Sequence, residues 1–109
     1  MNSVRWGLAA LTAALTCTGA NAAGDAAAGK VKAYTCFGCH GIVNYTNVYP
    51  SYHVPKLGGQ HPDYIVAALK AYKNGDRPHP TMQAQAANLS DQDMADIAAY
   101  LTQAPEKTK

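Results

Sequence analysis

The stretch CFGCH, at residues 36–40, contains two cysteines separated by two residues, a C-x-x-C pattern, with a histidine directly after the second. Three kinds of site begin with such a cysteine pair: a redox-active disulfide, a zinc centre and a covalently bound haem. In the haem site each thiol adds to one vinyl group of the porphyrin, and the adjacent imidazole binds the iron. The surrounding sequence must decide among the three.

The rest of the sequence favours the haem. A disulfide oxidoreductase is expected near a β-α-β pattern, which this sequence does not show. A zinc site needs four ligands, usually with a second pair of Cys or His at short spacing, and no such pair is present. The motif therefore predicts Cys36 and Cys39 as two thioether links, with His40 bound to iron.

The composition is that of one small folded domain. The chain has 109 residues, of which 48% are hydrophobic, and nine Lys and Arg against seven Asp and Glu give a formal charge of +2. This composition is not that of a disordered or polybasic chain, so we expect no nucleic-acid partner. A chain this small buries little core and usually needs a cross-link, a metal or a large cofactor.

The first 22 residues have the layout of a secretory signal peptide. Arg5 precedes an apolar run over residues 8–15, and the sequence ANA at 20–22 resembles a cleavage site. The apolar run is shorter than the roughly 20 residues that span a bilayer, so we expect no stable membrane insertion. We expect residues 1–22 to be cleaved and residues 23–109 to form a single domain outside the cytoplasm.

Three helices are predicted, over residues 25–36, 62–75 and 90–104. Asp25 can cap the first, Pro62 suits the first position of the second, and Ser90 begins a pattern like a capping box. The residues predicted to form their apolar faces are Val31 and Tyr34, then Ile65, Leu69 and Tyr72, then Met94, Ile97, Ala98 and Leu101.

Two irregular stretches, residues 41–60 and 76–82, are predicted to separate the helices, and no alternating pattern predicts a sheet. A structureless loop as long as 41–60 is uncommon in so small a domain unless it encloses something. The loops therefore also indicate a cofactor.

The chain resembles the class I c-type cytochromes, nearest to the small bacterial monohaem cytochromes of the c4 and c553 kind. The resemblance covers essentially all of residues 23–109, and it is carried by CFGCHG at 36–41, PKLGGQHPDYI at 55–65, AYKNGDRPHPTM at 71–82 and LSDQDMADIAAYL at 89–101. It implies an all-α, class I cytochrome c fold, with about three main helices and long loops around one covalently bound haem c.

The resemblance also implies roles for single residues. His40 is the proximal iron ligand and Met82 the distal one, and the carbonyl of Pro55 accepts a hydrogen bond from the ring of His40. A neutral thioether favours ferrous iron and raises the reduction potential. Gly29 in the first helix and Tyr100 in the last are expected to mark a crossing of these helices, small against large.

Other residues compete for the distal position. Met94 belongs to the apolar stripe of the last helix, so it is predicted to be core packing. Three histidines offer bis-histidine ligation as an alternative to Met82, although each is more simply a surface or helix-start residue: His53, His61 and His79.

One region departs from the family pattern. Between residues 42 and 54 the loop is longer and richer in tyrosine than usual. We expect Tyr52, together with Tyr45 and Tyr49, either to contact the haem edge or to anchor the loop as ordinary core.

Two protein ligands on iron leave no open position for a substrate. The sequence therefore predicts a periplasmic carrier of single electrons that is not an enzyme, acting on redox protein partners as a monomer or as a complex subunit. One alternative is the haem-bearing relay subunit of a periplasmic dehydrogenase or oxidase, and another, if Met82 does not bind, is a ligand-binding or peroxidatic haem protein. Six basic residues either form a positive rim for an acidic partner or are an ordinary solvated surface: Lys30, Lys32, Lys56, Lys70, Lys73 and Arg77.

Overall fold

The computed structural model describes residues 23–103; the predicted signal peptide, residues 1–22, lies outside this range. The described chain is mostly helical, as the sequence predicts. Its elements are α1 (Ala26–Lys32), a 3₁₀ turn (Ala33–Thr35), α2 (Phe37–His40), β1 (Thr46–Val48), β2 (Ser51–His53), α3 (Pro62–Asn74), α4 (Pro80–Ala86) and α5 (Asp91–Gln103). Within this range no helix combines the length and the apolar character needed to cross a bilayer.

The core lies where α1 and α3 pack against α5. The predicted apolar faces of α3 and α5 are confirmed, except that Tyr72 is only half-buried. Met94 is 0% exposed and belongs to this core, also as predicted. The buried members of the cluster are Ala33, Ile65, Leu69, Met94, Ile97, Ala98 and Leu101.

α1 meets α5 at a glycine. A Cβ atom built on the buried Gly29 would collide with the carbonyl oxygen of Asp96 and would lie 2.9 Å from the Cβ of Tyr100. The backbones of α1 and α5 are therefore in direct contact at this point, and only glycine allows them to come so close. The predicted contact of Gly29 with Tyr100 is confirmed.

The predicted apolar face of α1 is wrong. Val31 and Tyr34 are 77% and 82% exposed, whereas Gly29 and Ala33 are buried. The helix approaches α5 through its backbone and its smallest side chains, so its large apolar residues are left on the opposite side.

A buried carboxylate fastens the two ends of α1 to α5. Asp96, 3% exposed, accepts hydrogen bonds from the backbone N–H of Asp25 at 2.8 Å and from Nε2 of Gln92 at 2.7 Å. Its other oxygen pairs with the Nζ of Lys32, which also reaches Asp93 at 2.8 Å. These contacts lower the pKa of Asp96 to about 2, with the Lys32 bond as the largest cause. Asp25 itself caps α1, as predicted, by accepting from the N–H of Ala27.

Local signals set the ends of α3 and α5. Pro62 occupies the first position of α3, and Gly75 ends it in the left-handed conformation at φ 86°. At the start of α5, Ser90 and Asp93 cap each other: the N–H of Asp93 donates to the Ser90 hydroxyl, and the N–H of Ser90 donates to the Asp93 carboxylate.

The strands β1 and β2 and the helix α4 were not predicted. Within the expected loop 41–60, β1 and β2 pair antiparallel, with Thr46 opposite His53. Each strand has only three residues, too few for an alternating pattern to be recognised. The expected irregular stretch 76–82 instead leads into α4, which begins at Pro80 and packs against α3.

Candidate cofactor site

A cavity of about 400 Å³ opens between α2, β2, α3, α4 and α5, a volume within the usual range of small-molecule and cofactor sites. Much of its wall is apolar, with contributions from Leu57, Ile65, Leu69, Leu89, Ile97 and Leu101. The stretches 41–60 and 76–82 therefore both contribute to the wall of a cavity, as expected of loops that enclose a cofactor.

The C-x-x-C-H motif forms part of this wall. Cys36 precedes the single turn of α2, and the N–H of His40 donates to the carbonyl of Cys36 at 2.9 Å. Because residues three and four apart share one face of a helix, Cys36, Cys39 and His40 all line the cavity. Burial raises the pKa of the Cys36 thiol, the opposite of the lowered pKa that activates the cysteine of a disulfide oxidoreductase.

The ring of His40 has a fixed orientation. Its Nδ1 lies 2.7 Å from the carbonyl oxygen of Pro55. A carbonyl can only accept, so Nδ1 carries the proton, and Nε2 keeps the lone pair that a metal ion needs. This is the arrangement usually found around a metal-binding imidazole, whose second nitrogen donates to a fixed acceptor.

Met82 reaches the same cavity from α4. It lies in the first turn of that helix, half-buried against the hydrophobic core. Met94, by contrast, is enclosed in the core and is not among the residues that line the cavity. The structure thus brings a thioether, an imidazole and two thiols to one cavity, from stretches of sequence about forty residues apart.

Tyr52 lines the cavity and also anchors the hairpin. Its hydroxyl donates to Oγ1 of Thr81 at 3.2 Å, which ties β2 to α4. Tyr45 and Tyr49 are not among the lining residues, and Tyr49 is 92% exposed. Sequence reasoning missed Tyr64 on α3, which lines the cavity and is signalled only by its place one residue before Ile65.

The three competing histidines occupy different positions. His61 precedes α3, and its side chain is exposed. His53 and His79 both line the cavity. The Nδ1 of His79 accepts a hydrogen bond from the N–H of Met82 at 3.4 Å, so this nitrogen already has a partner.

The basic residues largely have partners inside the chain, which favours the solvated surface over the positive rim. Lys32 pairs with Asp93 and Asp96, Lys70 lies 3.3 Å from Asp91, Lys73 donates to the carbonyl of Leu89, and Arg77 lies 4.5 Å above the ring of Tyr72.

The residues around the cavity fit a covalently attached haem. Cys36 and Cys39 lie one helical turn apart on the wall, the imidazole of His40 has a free nitrogen, and apolar side chains surround them. Zinc fits poorly: within residues 23–103 no group of three or more His, Cys, Asp or Glu side chains could hold a metal ion.

Comparison with known proteins gives consistent matches. Residues 24–105 match the family model for cytochrome c. The chain is 46% identical over 94 residues to cytochrome c4 of Pseudomonas aeruginosa, covering 85% of this chain and 45% of the relative. It is also 46% identical over 81 residues to cytochrome c-554(548) of Halomonas halodenitrificans, covering 72% of this chain and 94% of that one.

The fold is likewise similar to a solved structure. Reduced recombinant cytochrome c4 from Pseudomonas stutzeri superposes with a TM-score of 0.55 and 26% sequence identity, covering 73% of this chain and 50% of that chain. The chain spans about half the length of the cytochrome c4 relatives that it matches.

Proposed function

We propose that this chain, which belongs to the cytochrome c family, carries single electrons through one haem c held by Cys36 and Cys39. Membership of this family implies a covalently bound haem c. The sequence contains one C-x-x-C-H motif, which supports a single haem. The observation that carries the proposal is the convergence of Cys36, Cys39, His40 and Met82 on one largely apolar cavity.

We assign His40 and Met82 as the two side chains that would bind the haem iron. The carbonyl of Pro55 holds the imidazole by its Nδ1–H, which leaves Nε2 for the metal and increases the basicity of the ring. Met82 supplies a neutral sulfur, a ligand that raises the reduction potential of iron. Tyr52, on the cavity wall, braces the Met82 helix through Thr81 and is proposed to contact the edge of the haem.

This arrangement suits electron transfer better than catalysis. A haem bound here supplies the ferric and ferrous states between which one electron is exchanged. With both side chains bound to it, the iron would have no position left for a substrate. The apolar walls would keep water away from a bound haem, and the hydrogen bond to Pro55 holds the His40 ring in one orientation.

The setting of the protein is part of the proposal. The signal-peptide pattern of residues 1–22 supports export to the periplasm, with residues 23–109 as one cytochrome domain. The partners are redox proteins that donate or accept electrons, and the chain acts as a monomer or as a complex subunit.

The absorption spectrum of the protein matured with haem tests the ligation. The oxidised protein should show the weak sulfur-to-iron band near the red limit of the visible spectrum, and carbon monoxide should not change the reduced spectrum. Met82→Leu should abolish the band. Met94→Leu is the matched control, because it removes a sulfur from the core without touching the cavity. A band that survives Met82→Leu would refute the assignment.

Two further outcomes separate the alternative functions. Ready binding of carbon monoxide by the native reduced protein would indicate an open iron and a ligand-binding or peroxidatic haem. Purification from the native host together with a catalytic chain, in constant ratio, would instead indicate a relay subunit of an oxidoreductase complex.

A further inference from the structure

We propose that His79 is a positioning residue whose ring nitrogen holds the first turn of α4 in place and so keeps the sulfur of Met82 at the iron. The inference rests on the proposed ligation by Met82 and adds a residue to it.

The backbone of α4 needs such a contact. The first N–H groups of a helix lack partners within the helix, and Pro80, at the first position, has no N–H. The N–H of Gln83 makes the first backbone bond of the helix, to the carbonyl of His79 at 2.9 Å. The N–H of Met82 donates to Nδ1 of the same residue. His79 therefore accepts hydrogen bonds from α4 through both its backbone carbonyl and its ring.

Histidine is an unusual residue at this position. Asn, Asp, Ser and Thr are the common N-caps, because each places an oxygen near the free N–H groups. The Nδ1 of His79 is attached to Cγ, as is the side-chain oxygen of Asn, so both atoms can reach the same N–H groups. The backbone of His79 also has the extended conformation of an N-cap, with φ −150° and ψ 95°. For Nδ1 to accept, the ring proton must reside on Nε2.

The ring itself is held by two other elements. Its centroid lies 4.6 Å from that of Tyr52 on β2, at 80°, and 6.2 Å from that of Tyr72 on α3, at 76°. Both are edge-to-face contacts within the favourable range of distances. Because Tyr52 also donates to Thr81, the hairpin and α3 together fix the acceptor to which Met82 is bound.

The placement of the sulfur depends on this backbone contact. Methionine has three rotatable side-chain bonds, so its own rotamers do not define where the sulfur lies. α4 has seven residues, fewer than a helix needs to be stable in isolation. When the acceptor is lost, the first turn should fray, and an external ligand should displace Met82 more readily.

Displacement of Met82 by imidazole in the oxidised protein tests the inference, with loss of the sulfur-to-iron band as the readout. His79→Phe keeps a ring but removes the acceptor, so the apparent affinity for imidazole should rise roughly 2- to 30-fold, the range expected for loss of a cap. His79→Asn restores an acceptor at the same position and should stay near the native affinity. Ser90→Ala is the control: it removes the cap of α5, away from the cavity, and should leave imidazole affinity unchanged.

The outcomes separate this inference from the proposed function. A native protein without the sulfur-to-iron band overturns both. A native band that Met82→Leu abolishes, combined with equal imidazole affinities in native protein, His79→Phe and His79→Asn, overturns the role of His79 alone. So does a rise in Ser90→Ala as large as that in His79→Phe, or an equal rise in both His79 variants.

A measurement on the native protein covers the case in which His79→Phe does not fold. Nitrogen NMR of the native reduced protein should show His79 with its proton on Nε2 and an unprotonated Nδ1. A proton found on Nδ1 would mean that this nitrogen cannot accept from Met82, and the inference would fail.

Discussion

Replacing Gly29 by alanine should push α1 away from α5. The added Cβ would overlap the carbonyl oxygen of Asp96, and it would lie 2.5 Å from the carbonyl carbon and 2.9 Å from the Cβ of Tyr100. Ordinary contact begins near 3.4 Å, so the helices must separate by at least about 1 Å. The obstacle is backbone, which cannot rotate aside as a flexible side chain can.

Two opposing effects determine the size of the change in stability. Overpacking a tight contact costs about 1–3 kcal/mol, and the backbone collision places Gly29→Ala toward the upper end. Alanine recovers roughly 0.5–1 kcal/mol in a helix interior, because glycine loses more conformational freedom on folding. We expect a net loss of about 2 kcal/mol in the free energy of unfolding. For a domain of this size that corresponds to a fall of roughly 8–16 °C in Tm.

Urea unfolding of the haem-containing protein, followed by circular dichroism, measures this loss. Gly38→Ala is the matched control, because a Cβ at Gly38 in α2 meets nothing within 4 Å. The control should change the free energy of unfolding by less than about 0.5 kcal/mol. If Gly29→Ala proved as stable as Gly38→Ala, the close approach of α1 and α5 would not restrict position 29 to glycine.

Three further predictions concern charges and a helix end. The pKa of Asp96 is about 2 in the folded protein against 3.8 ordinarily, so the ionised carboxylate stabilises the fold above pH 4 and this contribution is lost as pH falls toward 2. In Asp96→Asn the stability measured by circular dichroism should therefore depend less on pH between 4 and 2. Lys32→Met should lower the Tm more than Lys70→Met does, because it leaves the buried Asp96 carboxylate without its cation. The exposed Lys70–Asp91 pair contributes only about 0–1 kcal/mol, so equal Tm values for the two variants would contradict this ranking. Gly75→Ala should cost about 1 kcal/mol in urea unfolding because φ is 86°, although the new methyl group has room; an unchanged midpoint would argue against a left-handed helix end.

Local signals explain most of what could be predicted. The C-x-x-C-H motif places both thiols and the imidazole on one turn by spacing alone. Pro62, Gly75 and the Ser90 cap, together with a repeating apolar stripe, give α3 and α5 their positions because these effects act within a few residues. Met94 belongs to such a stripe, which is why its burial was predictable.

Other features depend on contacts between distant residues. The buried face of α1 follows from a backbone contact with α5, so the apolar side chains Val31 and Tyr34 gave the wrong face. The hairpin and α4 are too short for a periodic signal, and they are held by packing around the cavity. The cap that His79 provides needs a ring held by two tyrosines from other elements.

The sequence by itself thus determined the family resemblance, the attachment motif and the two long helices. Only the tertiary structure decided which residues surround the cavity, which face of α1 is buried and how Met82 is held. The physical reason is range: caps, turns and motif spacing act over one helical turn, whereas close helix contacts and ring packing join residues that the chain brings together only when it folds.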